Sequence, residues 1–255
     1  ICGSILAKKL AEGIDVLVLD VKFGSGAFMK DRADARRLAE ALVTVAKAMG
    51  KPARAILTAM EQPLGRAVGN ALEVAESIEC LKGRGPADTM EVTFALAEQM
   101  LRLAGAAKTA DEARGRLAAG IASGAALDKF RELIAEQGGD VRVVDEPERL
   151  PRARLRQPLV ASRGGFVQAV DAMGVARAAL RLGAGRAKTE DAIDPAVGVN
   201  ELVKIGECVE TGAPLAVIHA NDEAALAEAQ TMLAQAITIG DTPGPVPRLI
   251  AETIE

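Results

Sequence analysis

Ile1, Ser4 and Lys8 are spaced three and four residues apart, which puts them on one face of any helix that holds them. The row combines an apolar contact, a hydroxyl that can donate or accept, and a cation. That set suits a small, flat, polar ring bearing carbonyl oxygens. A cation beside such a ring also offsets the negative charge that develops when the ring departs. The same spacing is equally that of a solvated helix face, so spacing alone leaves both readings open. A second candidate is the stretch from Val21 to Phe28, where Gly24 and Gly26 stand between a strand and a helix. Glycines there let backbone approach an anion near a helix N-terminus. However, Met29 occupies the place of the last fingerprint glycine, and no Gly-Lys-Ser/Thr follows. Tight-turn glycines explain the pattern as well, and Phe28 is either a pocket wall or core. The third candidate is the glycine-dotted loop from Glu61 to Asn70, which precedes a helix carrying Glu73 and Glu76. Free loop carbonyls facing a helix carboxylate can hold a hard cation through oxygen, although both glutamates also read as ordinary surface residues. His219, the one histidine, follows an apolar run and reads as structural.

The elements that must carry these residues are legible in outline. Residues 1–11 have helical spacing. Val16, Leu17, Val18, Leu19 and Val21 form a short apolar run, as expected of a strand covered on both faces. Asp31 to Met49 is a strongly patterned helix, stopped by Gly50, Lys51 and Pro52. A second strand is expected over Ala55 to Thr58. Helices follow over 71–81, 90–107, 110–119 and 124–137. This alternation predicts an α/β layer with a parallel or mixed sheet covered by helices. Residues 138–158 are rich in Gly, Pro and charge and read as a connection. Beyond them, short glycine-punctuated β segments alternate with helices over about 171–181 and 223–236. Residues 206–218 have the turn pattern of biotinyl- and lipoyl-type modules without the modifiable lysine. The expectation is therefore a smaller, α+β, barrel-sandwich-like C-terminal domain. The division predicted is 1–12 (the remnant of a helical domain), 13–155 (α/β) and 156–255 (α+β). Because the first residues already lie inside a helical pattern, the sequence reads as the C-terminal part of a longer protein.

Composition removes several classes. The 255 residues carry 31 basic and 35 acidic side chains, a net charge of −4, which argues against a basic nucleic-acid binder. The absence of Trp and Tyr removes the usual base-stacking platforms. No apolar run is long enough to span a membrane. Three cysteines without metal spacing suggest a reducing cytoplasm, and a single histidine disfavours a His-based zinc site.

Four stretches, in order, resemble the thymidine phosphorylase and pyrimidine nucleoside phosphorylase family: SILAKKLAEGIDVLVLDVKFGSGAFMK, QPLGRAVGNALEV, LGAGRAKTEDAID and VGVNELVKIGECVETGAPLAVIHA. The resemblance implies a homodimeric pentosyltransferase that cleaves thymidine, or uridine, with inorganic phosphate to give free base and sugar 1-phosphate. It implies that Ser4 and Lys8 hydrogen-bond the pyrimidine, with Lys8 also offsetting charge on the leaving base. Ile1, Ile5 and Phe28 would line the base pocket. No organic cofactor is implied, and phosphate enters as co-substrate. In the pyrimidine nucleoside phosphorylase branch the likeness also implies potassium at the QPLG loop, bound by the carbonyls of Leu64 and Ala67 and the carboxylate of Glu76. The family's phosphate-binding segments, its base-contacting arginine and histidine, and the other potassium ligands correspond to positions upstream of Ile1. The chain alone is therefore expected to be inactive. Two alternatives remain at this point: a related phosphoribosyltransferase of the anthranilate type, and a non-catalytic fragment that dimerises or binds base.

Overall fold

The computed structural model describes residues 2–186 and 188–255. Its elements run α1 (Cys2–Ala11), β1 (Leu17–Phe23), α2 (Arg32–Ala48), β2 (Ala53–Ala59), α3 (Asn70–Leu81), α4 (Ala87–Leu103), α5 (Ala110–Ala122), α6 (Ala125–Glu136), β3 (Leu155–Val160), β4 (Gly165–Val170), α7 (Ala172–Leu182), β5 (Gly198–Asn200), β6 (Cys208–Val209), β7 (Pro214–Ala220), α8 (Glu223–Ala236), β8 (Ile237–Gly240) and β9 (Ile250–Ile254). They form two compact units. One takes in the chain up to Met60 together with Ala87–Ser123 and Pro247–Glu255; the other takes in Glu61–Pro86 and Gly124–Val246.

The first unit is built on a three-stranded sheet ordered β1-β2-β9. β1 and β2 are parallel, from Leu17 opposite Ala53 to Phe23 opposite Ala59, while β9 runs antiparallel to β2. The sheet is thus mixed, as expected. One face packs on α2, and α1 packs on α2 in turn. Asp31 caps α2 by accepting from the Ala33 N–H at 2.7 Å. The helix then sets Ala35, Ala39, Leu42, Val43 and Ala46 into a core with Leu6, Leu17, Val21, Leu57 and Ile254.

The other face departs from the expectation of a strand covered by apolar groups on both sides. The Lys22 ammonium lies 2.8 Å from Asp20 and donates to Thr58 Oγ1 at 3.1 Å, and Thr58 donates to Asp20 at 2.5 Å. Arg54 on the same face donates to Gln99 of α4 at 2.7 Å. Period-two alternation places residues 18, 20 and 22 together on this face. Asp20, Lys22 and Thr58 thus partner one another, and Arg54 meets the buried Gln99 of α4. α4 starts three residues earlier than expected and stops at Leu103, two residues short of Gly105, whose φ of +70° ends the turn.

The second unit carries two three-stranded sheets, β3-β7-β5 and β6-β4-β8, with antiparallel pairing throughout. Their inner residues (Val167, Val170, Val199, Ile218) share one core with Val175 of α7 and Leu233 of α8. Asp171 and Asp222 cap those helices at 3.0 and 2.7 Å. This is the small α+β arrangement expected of the C-terminal part. The units do not follow the predicted boundaries. Residues 61–86 and 124–155 group with the C-terminal segment, and 247–255 group with the N-terminal one. The stretch read as a connection is packed structure, with Val144 fully buried. β9 joins the first unit because its backbone completes the exposed edge of β2.

Candidate functional site

In the first unit, α1 is anchored by Leu6, which is 1% exposed, with Ile5 and Leu10 packed against the same core. That anchoring turns Ser4 and Lys8 outward, both exposed, one helical turn apart on one face. Among the described residues neither Ser4 Oγ nor Lys8 Nζ has a hydrogen bond or an ion pair. Lys9, next along, is paired with Glu12 at 3.2 Å. Of two adjacent lysines, one is engaged and the other has no partner among the described residues. Both sit in the last turn of α1, where the helix dipole favours cations. Ile1 lies outside the described residues.

Phe28 stands on the turn after β1. The turn is tightly held: Gly24 N–H donates to Met29 O at 3.2 Å, Ala27 N–H to Gly24 O at 3.0 Å, and Gly26 N–H to Met60 O at 2.9 Å. Gly24 adopts φ +114°, which a side chain would resist. The phenyl ring is therefore fixed at its base yet 81% exposed. It is not core, and an exposed ring on a fixed turn is suited to wall a pocket for a flat ligand. The alternative anion role for this turn finds no support at α2, because the Asp31 carboxylate already occupies that helix's N-terminus.

The QPLG loop belongs to the second unit. Arg66 N–H donates to Glu76 Oε2 at 2.8 Å, drawing the α3 carboxylate onto the loop, while Glu73 is turned back on Gly69 N–H at 2.9 Å. The carbonyls of Leu64 and Ala67 accept no hydrogen bond among the described residues. Two free carbonyls and a nearby carboxylate are an all-oxygen donor set, fit for a large, weakly held monovalent cation and unsuited to a thiol- or imidazole-loving metal. No group of three or more His, Cys, Asp or Glu among the described residues could hold a metal. Sequence reasoning missed Lys204, whose ammonium donates to Pro63 O and, at 2.9 Å, to Gly65 O. It also missed the Asp20–Lys22–Thr58 cluster. For that cluster a signal existed: two charges two residues apart inside a β run.

His219 is 6% exposed, and its Nε2 lies 2.9 Å from Asn200 Oδ1. Burial first, and then the charge of Arg156, lowers its pKa below the usual imidazole value. A neutral, hydrogen-bonded imidazole in a sheet supports the structural reading.

Residues 2–127 match the family model for the a/b domain of the glycosyl transferase family, and residues 166–240 match the pyrimidine nucleoside phosphorylase C-terminal domain. Pyrimidine-nucleoside phosphorylases of Staphylococcus aureus strains USA300, NCTC 8325 / PS 47 and COL are each 49% identical over 221 residues, 87% of this chain and 51% of theirs. The chain belongs to the pyrimidine nucleoside phosphorylase family. It spans about half the length of the curated relatives it matches. Those relatives carry the phosphorylase name, not that of an anthranilate-type transferase. Membership places the Ser4–Lys8 row, the Phe28 turn and the QPLG loop in one lineage, although the loop lies in a different unit from the other two.

Proposed function

We propose that this chain supplies the base-binding part of a pyrimidine nucleoside phosphorylase. The enzyme transfers the pentosyl group of thymidine or uridine to inorganic phosphate. The observation that carries the reading is the unpaired Ser4 and Lys8 on one exposed face of a buried-anchored helix. In the reaction a phosphate oxygen forms a bond to the sugar anomeric carbon as the bond from that carbon to the ring nitrogen breaks. The electron pair of the broken bond leaves with the base. Ser4 and Lys8 hydrogen-bond the base, Lys8 stabilises the charge arriving on it, and a proton then returns the base to its neutral form. Phe28, exposed on its fixed turn, would cover the ring and keep water off it, which strengthens the Lys8 interaction, while Ile5 backs the row from the core side and the family likeness adds Ile1, which lies outside the described residues.

The Leu64 and Ala67 carbonyls with Glu76 would hold potassium, which when bound neutralises the oxygen cluster and stiffens the loop. By the same likeness the enzyme works as a homodimer in the cytoplasm. Cysteines outside any disulfide fit a reducing compartment, and among the described residues no helix is long and apolar enough to cross a membrane.

The test is base binding. Thymine and uracil are titrated into the purified chain by calorimetry, in parallel with Lys8→Met. Saturable binding, weakened at least about tenfold in the variant, is the expected result, since a hydrogen bond to a charged group contributes roughly 1.5–3 kcal/mol. Equal binding by both proteins would remove Lys8 from the site.

A further inference from the structure

The QPLG loop is held in place by a residue far along the chain. Lys204 Nζ donates to the carbonyls of Pro63 and Gly65, residues two apart, and the Leu64 carbonyl between them is left out of that contact. Neighbouring bonds fix the same segment from other sides. Ile205 N–H donates to Gln62 Oε1 at 2.9 Å, Arg66 Nη1 donates to Leu202 O at 3.0 Å, and the Arg66 guanidinium pairs with Glu207. Burial alone would push the Glu207 carboxyl up, but hydrogen bonds from the Arg66 guanidinium and the Lys204 backbone N–H outweigh it and hold the group below the usual carboxylate range. The loop is thus clamped through the carbonyls of Pro63, Gly65 and Arg66, the last accepting from Leu202 N–H at 3.1 Å. Those of Leu64 and Ala67 remain without a hydrogen bond among the described residues, although Ala67 is 6% exposed. An unbonded carbonyl in a buried segment is costly unless a ligand completes it.

We infer that Lys204 is a positioning residue for the cation loop: by binding the Pro63 and Gly65 carbonyls it presents those of Leu64 and Ala67, with the Glu76 carboxylate, to a potassium ion. The inference rests on the potassium reading above. Lys204 acts through the carbonyls it holds and is not itself a ligand. A flexible chain would have to order these oxygens at the moment of binding, whereas the ammonium orders them beforehand.

The experiment uses the whole 255-residue chain and Lys204→Met, which keeps the side chain's length and removes its charge. Amide exchange at Arg66, measured in sodium buffer, reports the loop without potassium. Chemical shifts of residues 64–68 during potassium titration, with sodium as the reference ion, report the site. Glu76→Gln is the control for the site itself. The expected result is a saturable potassium response in the wild type, lost in Glu76→Gln. In Lys204→Met the apparent affinity falls at least about tenfold, the usual effect of losing a residue that orients ligands, and Arg66 exchange accelerates. Lys204→Arg, which restores a cation, recovers part of both, and it also decides the matter if the methionine variant fails to fold. Wild-type indifference to potassium overturns the potassium reading and this inference with it. A normal response in Lys204→Met, or no recovery in Lys204→Arg, overturns the positioning role alone.

Discussion

Replacing Gly198 with alanine should break the junction that seats the QPLG loop against β5. Gly198 sits at φ +147°, and a Cβ built there would lie 2.3 Å from the carbonyl oxygen of Val68 and 2.9 Å from Gly69 Cα. Both are backbone atoms, so no rotamer change relieves the overlap. Relief requires moving the two strands apart, which loses the paired bonds Val68 N–H to Val199 O and Val199 N–H to Val68 O, both 2.8 Å. Two backbone hydrogen bonds are worth about 1 kcal/mol each, and strain at a glycine-only backbone conformation adds about 1–3 kcal/mol. The loss should therefore be roughly 3–5 kcal/mol. Gly212→Ala is the reference, because Gly212 has a positive φ of +83° but nothing within 4 Å of its Cβ. It should cost only backbone strain, about 1–2 kcal/mol. Amide exchange is the better assay, since two units need not unfold in one transition. Exchange at Val68 and Val199 should accelerate in Gly198→Ala and stay unchanged in Gly212→Ala. A Gly198→Ala protein within about 1 kcal/mol of the wild type would refute the rigidity assigned to this contact. Gly69→Ala approaches the same junction from the other side, meeting Val197 O at 2.5 Å, so the double variant should lose less than the sum of the two.

His219 gives a clean pH dependence because it is the one histidine. Its folded pKa lies below the ordinary value near 6.5, so the unfolded chain binds a proton that the folded chain refuses; stability should fall as pH drops through about 6.5, and His219→Gln should flatten that step in urea midpoints taken between pH 7.5 and 5.5. Leu57→Ala, at a fully buried position of β2, should cost about 2–5 kcal/mol by leaving a cavity, and a cost under 1 kcal/mol would contradict the packing described for the first unit. Lys22→Met should strand the Asp20 carboxylate beside fully buried Thr58, destabilising by about 1–3 kcal/mol in urea unfolding, while the paired change Lys22→Met with Asp20→Leu should recover much of the loss.

What could be read in advance was what depends on neighbours in sequence. The helix from Asp31 to Met49 and the placing of Ser4 and Lys8 on one helix face follow from spacings of three and four residues, and both stand in the structure, although the stripe read on that helix included Ala41 and Val45, which are exposed. Phe28 stayed ambiguous, because exposure depends on how a turn is tied, and that tie runs partly through Met60. β1 was read as apolar on both faces because Val18 and Leu19 masked the alternation that Asp20 and Lys22 begin. The partner that satisfies that face, Thr58, lies on another strand. Lys204 was invisible for the same reason: no local rule links a lysine between two β segments to the carbonyls of Pro63 and Gly65. The unit boundaries failed at β9, whose place is decided by the open edge of β2 and by nothing in residues 250–254 themselves.

That placement of β9 bears on how the protein is made. Ala55 pairs with Ile254, so the edge of β2 stays bare until Ile254 has been made. Vectorial synthesis normally lets early segments settle first, but here the sheet that β1 and β2 begin cannot close until β9 leaves the ribosome. Contacts that distant slow folding, and a growing chain with an uncovered edge is open to pairing with its neighbours on the same messenger. A chain stopped before β9 would keep that edge uncovered, so quality control should find such products readily.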